Sequence, residues 1–166
     1  MNINLKDFRN ALSKFPTGVT IITTYDKNKQ MIGVTASSFN SVSLEPALVL
    51  WSIHRNAYSY EAFTQGEYFT IHVLNSEQVE LSNKFARRGE DKFKQTDLHE
   101  NSDLAPRLTN VAAWFECKKW NIHEAGDHAI LIGEVLAYGY DDQADSLVFC
   151  NGSYAIHDKH PLVMVN

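Results

Sequence analysis

The sequence predicts a mainly β fold, an antiparallel barrel carrying a few helices. Segments dense in β-branched and aromatic residues outnumber segments with helical periodicity, and most connections between them are short and rich in turn residues. The regular alternation of strand and helix that builds a parallel sheet is missing.

Leu5, Phe8, Leu12 and Phe15 recur at spacings of three and four, so they form one stripe of an amphipathic helix that Pro16 stops. Residues 16–18 read as a turn. Residues 19–25 are rich in Val, Ile and Thr and predict a strand, and the polar residues 26–30 connect it to its neighbour. The following apolar stretch, 31–34, runs into Thr35-Ala36-Ser37-Ser38-Phe39-Asn40-Ser41, where small hydroxylated residues stand in place of large apolar ones. Such a run implies that something lies against its backbone. After a turn at 43–46, residues 47–53 are almost continuously apolar and predict a fully buried strand.

Residues 57–65 predict a short helix closed by Gly66, and 68–74 another strand. Asn75 and Gln78 stand in capping-box-like spacing ahead of a helix over 79–86. Residues 87–110 mix charges, Gly, Pro and Asn without periodicity, and predict a long irregular excursion of the kind that often carries function. Strand-like runs at 112–122 and 128–140 flank Glu124-Ala125-Gly126-Asp127 as a hairpin. Shorter strands are expected at 147–150 and after Tyr154, separated by Asn151-Gly152.

A chain of 166 residues with 44% hydrophobic and 21% charged residues predicts one soluble globular domain over 1–166. The formal net charge of −5 argues against nucleic-acid polymers and anionic membranes as partners, because both recruit excess Lys and Arg. The N-terminal residues lack the basic and apolar blocks of a signal peptide, and no apolar run approaches the length of a membrane span, so a cytoplasmic location is expected. Cys117 and Cys150 form no C-x-x-C pair and are expected to be buried, reduced thiols. His123 with His128, and His157 with His160, lack a third ligand at useful spacing, and no metal site is expected.

There is no G-x-G-x-x-G after a strand, no Walker loop, no H-E-x-x-H and no G-x-S-x-G elbow, so any nucleotide must be held without a Rossmann fold. Other blocks carry a resemblance. They are Phe8-Arg9-x-Ala11-Leu12, the run from Phe15-Pro16-Thr17-Gly18 into Ile21, the run from Gly33 to Ser43, and Pro46. Phe85-Ala86, Gly126-Asp127-His128, Gly133-Glu134-Val135 and Gly152-x-Tyr154 follow. In this order, across nearly the whole chain, they resemble the flavin reductase-like family, the small reductase components of two-component flavin monooxygenases.

The resemblance implies an antiparallel, Greek-key-like split β-barrel that binds FMN or FAD at the interface of a homodimer. It also implies hydride transfer from NADH or NADPH to the flavin, with reduced flavin passed to a separate monooxygenase. The alternatives left open are an FMN-binding electron carrier without useful NAD(P)H oxidase activity, and a related split-barrel oxidase or haem-handling protein. Thr35, Ala36, Ser37, Ser38, Asn40 and Ser41 match the segment that grips the flavin ring. Their small side chains suit the close approach of backbone N–H groups to a flat ring edged with acceptors. Ser52 is a further candidate for the ring or ribityl chain.

Ser59, Phe85, Ala86 and Lys92 are candidates for the flavin phosphate, with Arg55, Arg87 and Arg88 as other possible cations. His128, after the Gly126-Asp127 turn, matches the position facing the nicotinamide and is the candidate catalytic residue; a turn histidine that caps the hairpin is the bland alternative. Ser153 replaces the basic residue that many members carry between the last glycine and tyrosine. NADH and NADPH are not distinguished.

Overall fold

The computed structural model describes residues 3–89, 91–100 and 102–158, so both ends of the expected domain and two positions of the long excursion lie outside the described residues. Helix α1 (Leu5–Leu12) opens the chain and is capped by Asn4, whose side chain accepts from the backbone N–H groups of Lys6 and Asp7. The strands are β1 (Thr17–Gly18), β2 (Thr20–Tyr25), β3 (Met31–Ala36), β4 (Asn40–Leu44), β5 (Ala47–His54), β6 (Tyr68–Val73), β7 (Ala113–Ala125), β8 (His128–Tyr140), β9 (Val148–Cys150) and β10 (Ser153–Ala155). Helices α2 (Tyr60–Gln65) and α3 (Val79–Ala86) flank β6. Among the described residues no helix is long and apolar enough to cross a membrane.

Seven strands form one antiparallel sheet in the order β3-β2-β6-β7-β8-β5-β4, and β1, β9 and β10 form a smaller one. The large sheet curls until β3, at one end, meets β5 near the other. Ile32, Val34 and Ala36 of β3 pack with Val49, Trp51 and Ile53 of β5 around Ile22, Phe63, Phe69, Ile71 and Leu131. The Ser38 hydroxyl closes the seam, donating to the Ser52 carbonyl at 3.1 Å and accepting the Ser52 N–H at 2.9 Å. This is a barrel with an apolar interior.

A second core lies outside the barrel wall. Val19, Ile21 and Leu74 meet Phe85 of α3 and Phe93, Leu108 and Val111 of the excursion. Both faces of β2 are therefore covered, which is why its residues from Thr20 to Thr24 are all buried.

Several expectations are corrected. Residues 17–18 are a strand paired with β9 rather than part of a turn, because their backbone completes the small sheet. Strand β5 is not buried throughout: Val49, Trp51 and Ile53 face the barrel interior while the residues between them are partly exposed, as a wall covered on one face requires. The hairpin joining β7 and β8 needs only Gly126 and Asp127, with Gly126 at φ 63°. Asn75 and Gln78 do bond, Asn75 N–H to Gln78 Oε1 at 3.0 Å, but the N-cap position of α3 is Gln78, whose side chain makes no capping bond to the helix. Cys117 is buried, and burial pushes its thiol up to about 12, whereas Cys150 is only half-buried; both are free.

The excursion is pinned to the wall by His72, which is fully buried on β6. Its Nε2 accepts the Leu108 N–H at 3.0 Å, so Nδ1 carries the ring proton and donates to the Ile21 carbonyl at 2.9 Å. Burial lowers its pKa to about 4, against a weaker opposing effect of the Ile21 bond and with some help from the Arg107 charge. The unfolded chain therefore takes up this proton near pH 6.5 and the folded chain only near 4. The stability that His72 contributes is complete above the higher value and is lost as pH falls through this window. The shift corresponds to about 3 kcal/mol at most. Urea unfolding between pH 7 and 4.5 should show the wild type losing stability, and His72→Gln should flatten that part of the profile.

Candidate functional site

Strand β3, the 56–59 segment and residues 86–89 and 91–93 border a cleft of about 830 Å³. Its floor is the backbone of Gly33, where an added Cβ would lie 2.5 Å from the Phe85 ring and 3.2 Å from Phe93. Only glycine allows α3 and the loop after it to lie this close to the strand. The Lys92 ammonium fastens the three pieces by donating to the Gly33 carbonyl at 3.0 Å and to the Phe85 carbonyl at 2.7 Å. Ser59, Ala86, Arg87, Arg88 and Lys92 all line the cleft. The Arg88 guanidinium reaches across and donates to the Asn56 carbonyl at 3.2 Å.

Ser59 is buried and precedes α2, yet its side chain makes no capping bond. Phe85 is fully buried and is not on the cleft lining; its ring packs under Gly33, and its carbonyl accepts from Lys92. A hydroxyl, backbone and the cationic side chains of Arg87, Arg88 and Lys92 gather at one mouth together with the Asp91 carboxylate, and hydroxyl, backbone N–H and cation are the kind of donor set that a phosphate group calls for.

Farther along β3, the run from Thr35 to Ser41 leads into β4. Thr35 Oγ1 donates to the Ser82 carbonyl of α3 at 2.6 Å, and the Ala36 carbonyl accepts from Thr20 Oγ1 at 2.7 Å. Ser38 is committed to Ser52 across the seam, as described above. Asn40 Oδ1 accepts from the Ser41 N–H at 2.9 Å, and Ser37, Asn40 and Ser41 are exposed. The hydroxyls of Thr35 and Ser38 therefore hold the backbone in place, and a ligand here would meet mainly main chain.

His128 is not on the cleft lining. It opens β8 opposite His54, the last residue of β5, and the two rings stand edge to face with centroids 5.0 Å apart. Asp127 lies between them, Oδ1 2.7 Å from His128 Nδ1 and Oδ2 3.6 Å from His54 Nε2. Hydrogen bonding from His128 holds the Asp127 carboxyl below its usual range. Since the carboxylate only accepts, His128 Nδ1 carries a proton and the neutral ring keeps Nε2 as an acceptor. Arg55 pairs with Glu124, and Tyr60 donates to Glu124 at 3.2 Å. The 54–60 segment thus joins the cleft to the hairpin tip.

His54 is absent from the candidates read in the sequence, because a histidine ending an apolar strand carries no local signal. Only the β5–β8 register brings it to His128. Arg55, expected as a possible phosphate cation, is instead paired with Glu124.

The sequence model of the family described as Flavin reductase like domain matches residues 12–157. A protein described as FMN reductase (NADH) from Agrobacterium fabrum is 42% identical over 151 residues, which cover 91% of this chain and 85% of that one. The reductase component of a flavin-dependent trigonelline monooxygenase from Acinetobacter baylyi is 42% identical over 131 residues, 79% of this chain and 42% of that one. The chain thus spans about half the length, or less, of some of the curated relatives it matches. Among solved structures, the NADH:FAD oxidoreductase of Streptomyces globisporus, in complex with NAD and FAD fragments, superposes with a TM-score of 0.87 at 30% identity over 99% of each chain.

The crowding at Gly33 is open to direct measurement. Gly33→Ala should cost about 1–3 kcal/mol in urea unfolding, because two packed phenylalanine rings must move. Gly18→Ala, with nothing within 4 Å of the added carbon, is the control and should change stability by less than about 0.5 kcal/mol.

Proposed function

The chain belongs to the flavin reductase-like family, and from that premise we propose that it reduces FMN or FAD with NADH or NADPH and passes the reduced flavin to a separate monooxygenase. The observation that carries this reading is the glycine-floored cleft with its cationic mouth, bordered by the strand β3 that runs on into the Thr35–Ser41 segment. Bound flavin would supply N5 as the acceptor for the hydride that leaves C4 of the dihydronicotinamide.

The residues of the chain bind and orient. Thr35, Ala36, Ser37, Ser38 and Asn40 would meet the ring edge mainly through their main chain, with Ser41, whose N–H is held by Asn40, beside them and Ser52 locked behind them by Ser38. Such donors also favour negative charge on the ring after reduction. Ser59 and the Phe85-Ala86 backbone serve the phosphate. Lys92 adds its charge while holding the Gly33 and Phe85 carbonyls. His128, its Nδ1 proton directed at Asp127, offers Nε2 to the carboxamide N–H of the nicotinamide and so orients the donor.

Anaerobic addition of NADH or NADPH to the flavin-loaded protein should bleach its visible spectrum. A bound flavin that neither nucleotide bleaches would instead mark an electron carrier. His128→Ala should leave the flavin dissociation constant nearly unchanged and slow reduction by up to about 10²-fold. Wild-type stopped-flow rates at both limiting and saturating nucleotide would make His128 a turn residue only.

The active unit in this reading is a homodimer. Helix α1 has no buried residue, so the stripe of Leu5, Phe8 and Leu12, continued by Phe15 at 73% exposure, has no cover within the described residues. Leu44 on β4 is 91% exposed. Apolar area of this kind is what a second copy would bury. Sedimentation velocity should show a dimer that releases flavin as it dissociates on dilution, and a flavin-loaded monomer would contradict the assignment.

A further inference from the structure

We propose that His54 is a positioning residue for the reduction: through the shared carboxylate of Asp127 it sets the orientation from which His128 meets the nicotinamide. The inference rests on the reading of His128 given above and extends it to a residue that does not itself touch the substrate.

The geometry begins with the sheet. Antiparallel pairing of β5 with β8 sets Ile53 opposite Ala129 and His54 opposite His128, so the two imidazoles leave the barrel rim side by side. The His54 ring has a defined tautomer. Its Nδ1 accepts the Asn56 N–H at 3.0 Å, which leaves the proton of the neutral ring on Nε2, the atom facing Asp127 Oδ2 at 3.6 Å. That separation is too long for a direct hydrogen bond, so the attraction is that of the N–H dipole, or of the imidazolium charge, for the carboxylate.

Asp127 needs such a second hold. It sits on a two-residue turn with its side chain 76% exposed, and a carboxylate bonded through one oxygen alone can still swing about that bond. His128 takes Oδ1 at 2.7 Å, His54 faces Oδ2, and the Arg55 N–H fixes the Asp127 carbonyl at 2.9 Å. With both oxygens faced, the plane of the carboxylate is set, and with it the direction of the His128 Nδ1–H bond. The His54 ring also stands against His128 at an interplanar angle of 77°, which limits rotation of the second ring. Glu124, the other carboxylate of the tip, is already paired with Arg55 and Tyr60 and does not compete for either imidazole.

The test is a double-variant cycle in stopped-flow reduction of the flavin-loaded protein by NADH or NADPH, whichever bleaches the wild type. His54→Ala should raise half-saturation by nucleotide, lower the limiting rate, or both, by about tenfold in their ratio, less than displacement of a reacting group costs. The flavin dissociation constant and the thermal melt should stay close to wild type. His54→Gln, which keeps an N–H donor, should recover part of the loss. In the His128→Ala background, His54→Ala should add less than about twofold, because a residue acting only through His128 has nothing left to orient. Nitrogen-15 spectra of the His128 ring should show a smaller Nδ1–H population in His54→Ala.

A full further loss in the double variant, a wild-type rate in the single variant, or an equal loss of flavin binding would each overturn the role of His54 while leaving the reductase reading intact. Failure of the wild type to be reduced by either nucleotide would remove the reductase reading and the His54 assignment together.

Discussion

The close approach of the Phe85 ring to the bare α-carbon of Gly33 is the constraint on which the cleft depends. Helix α3 ends there because nothing projects from β3 to hold it off, and Thr35 Oγ1 draws the same helix inward through the Ser82 carbonyl. The chain can then turn out of the helix and return Lys92 to within bonding distance of both the Gly33 and Phe85 carbonyls. The same ammonium that brings charge to the mouth also satisfies the carbonyls of the floor. Gly133 plays the matching part inside the barrel, where an added Cβ would stand 2.5 Å from the Phe69 ring and 2.9 Å from the Cys117 Cβ. Aromatic rings are thus seated against glycine at two separate strands, Phe85 against β3 outside the barrel and Phe69 against β8 within it.

One short segment serves two places. Residues 54–60 leave the barrel at the end of β5 and pass between the hairpin tip and the cleft. Toward the tip they offer His54, Arg55 and Tyr60; toward the cleft they offer the Asn56 carbonyl and Ser59. In the proposed function, the separation between a phosphate in the cleft and a nicotinamide at His128 is therefore set mainly by a few covalently joined residues, together with the β5–β8 register. Orientation in hydride transfer is sensitive to displacements on the order of 1 Å, so a rigid spacer of this kind matters more than any one contact along it.

Much of this was legible in the sequence. Helix α3 has the expected bounds 79–86, β8 the expected 128–140, and the unusual run from Thr35 to Ser41 does interrupt regular packing at the seam. These features are local: periodicity, β-branched density and turn chemistry act over a few residues. What could not be read depends on partners far along the chain. Residues 17–18 look like a turn until β9 arrives from more than a hundred residues away. Strand β5 looks buried on both faces because Leu48, Leu50 and Ser52 reveal their partial exposure only when the sheet curls. His54 and Asp127 are separated by most of the barrel in sequence and meet only through strand register, and the commitment of Arg55 to Glu124 follows from the same register.

The histidines show why residue type alone is a poor guide to role. His72 and His128 both carry the ring proton on Nδ1, but in opposite surroundings. His72 is sealed between two backbone groups, and burial keeps it neutral well below its ordinary range; nothing can approach either nitrogen, so it works as a pin for the excursion. His128 has a carboxylate on one nitrogen and stands half-exposed on a rim, so its other nitrogen is directed to whatever binds there. The carboxylate holds a proton on Nδ1 while solvent access leaves Nε2 open, a combination that suits a group meeting an incoming polar ligand. Placing such a group on a two-residue turn would ordinarily leave it loose. The second imidazole, brought alongside by strand pairing, removes that looseness without burying the site, which is why the ring can be both ordered and accessible.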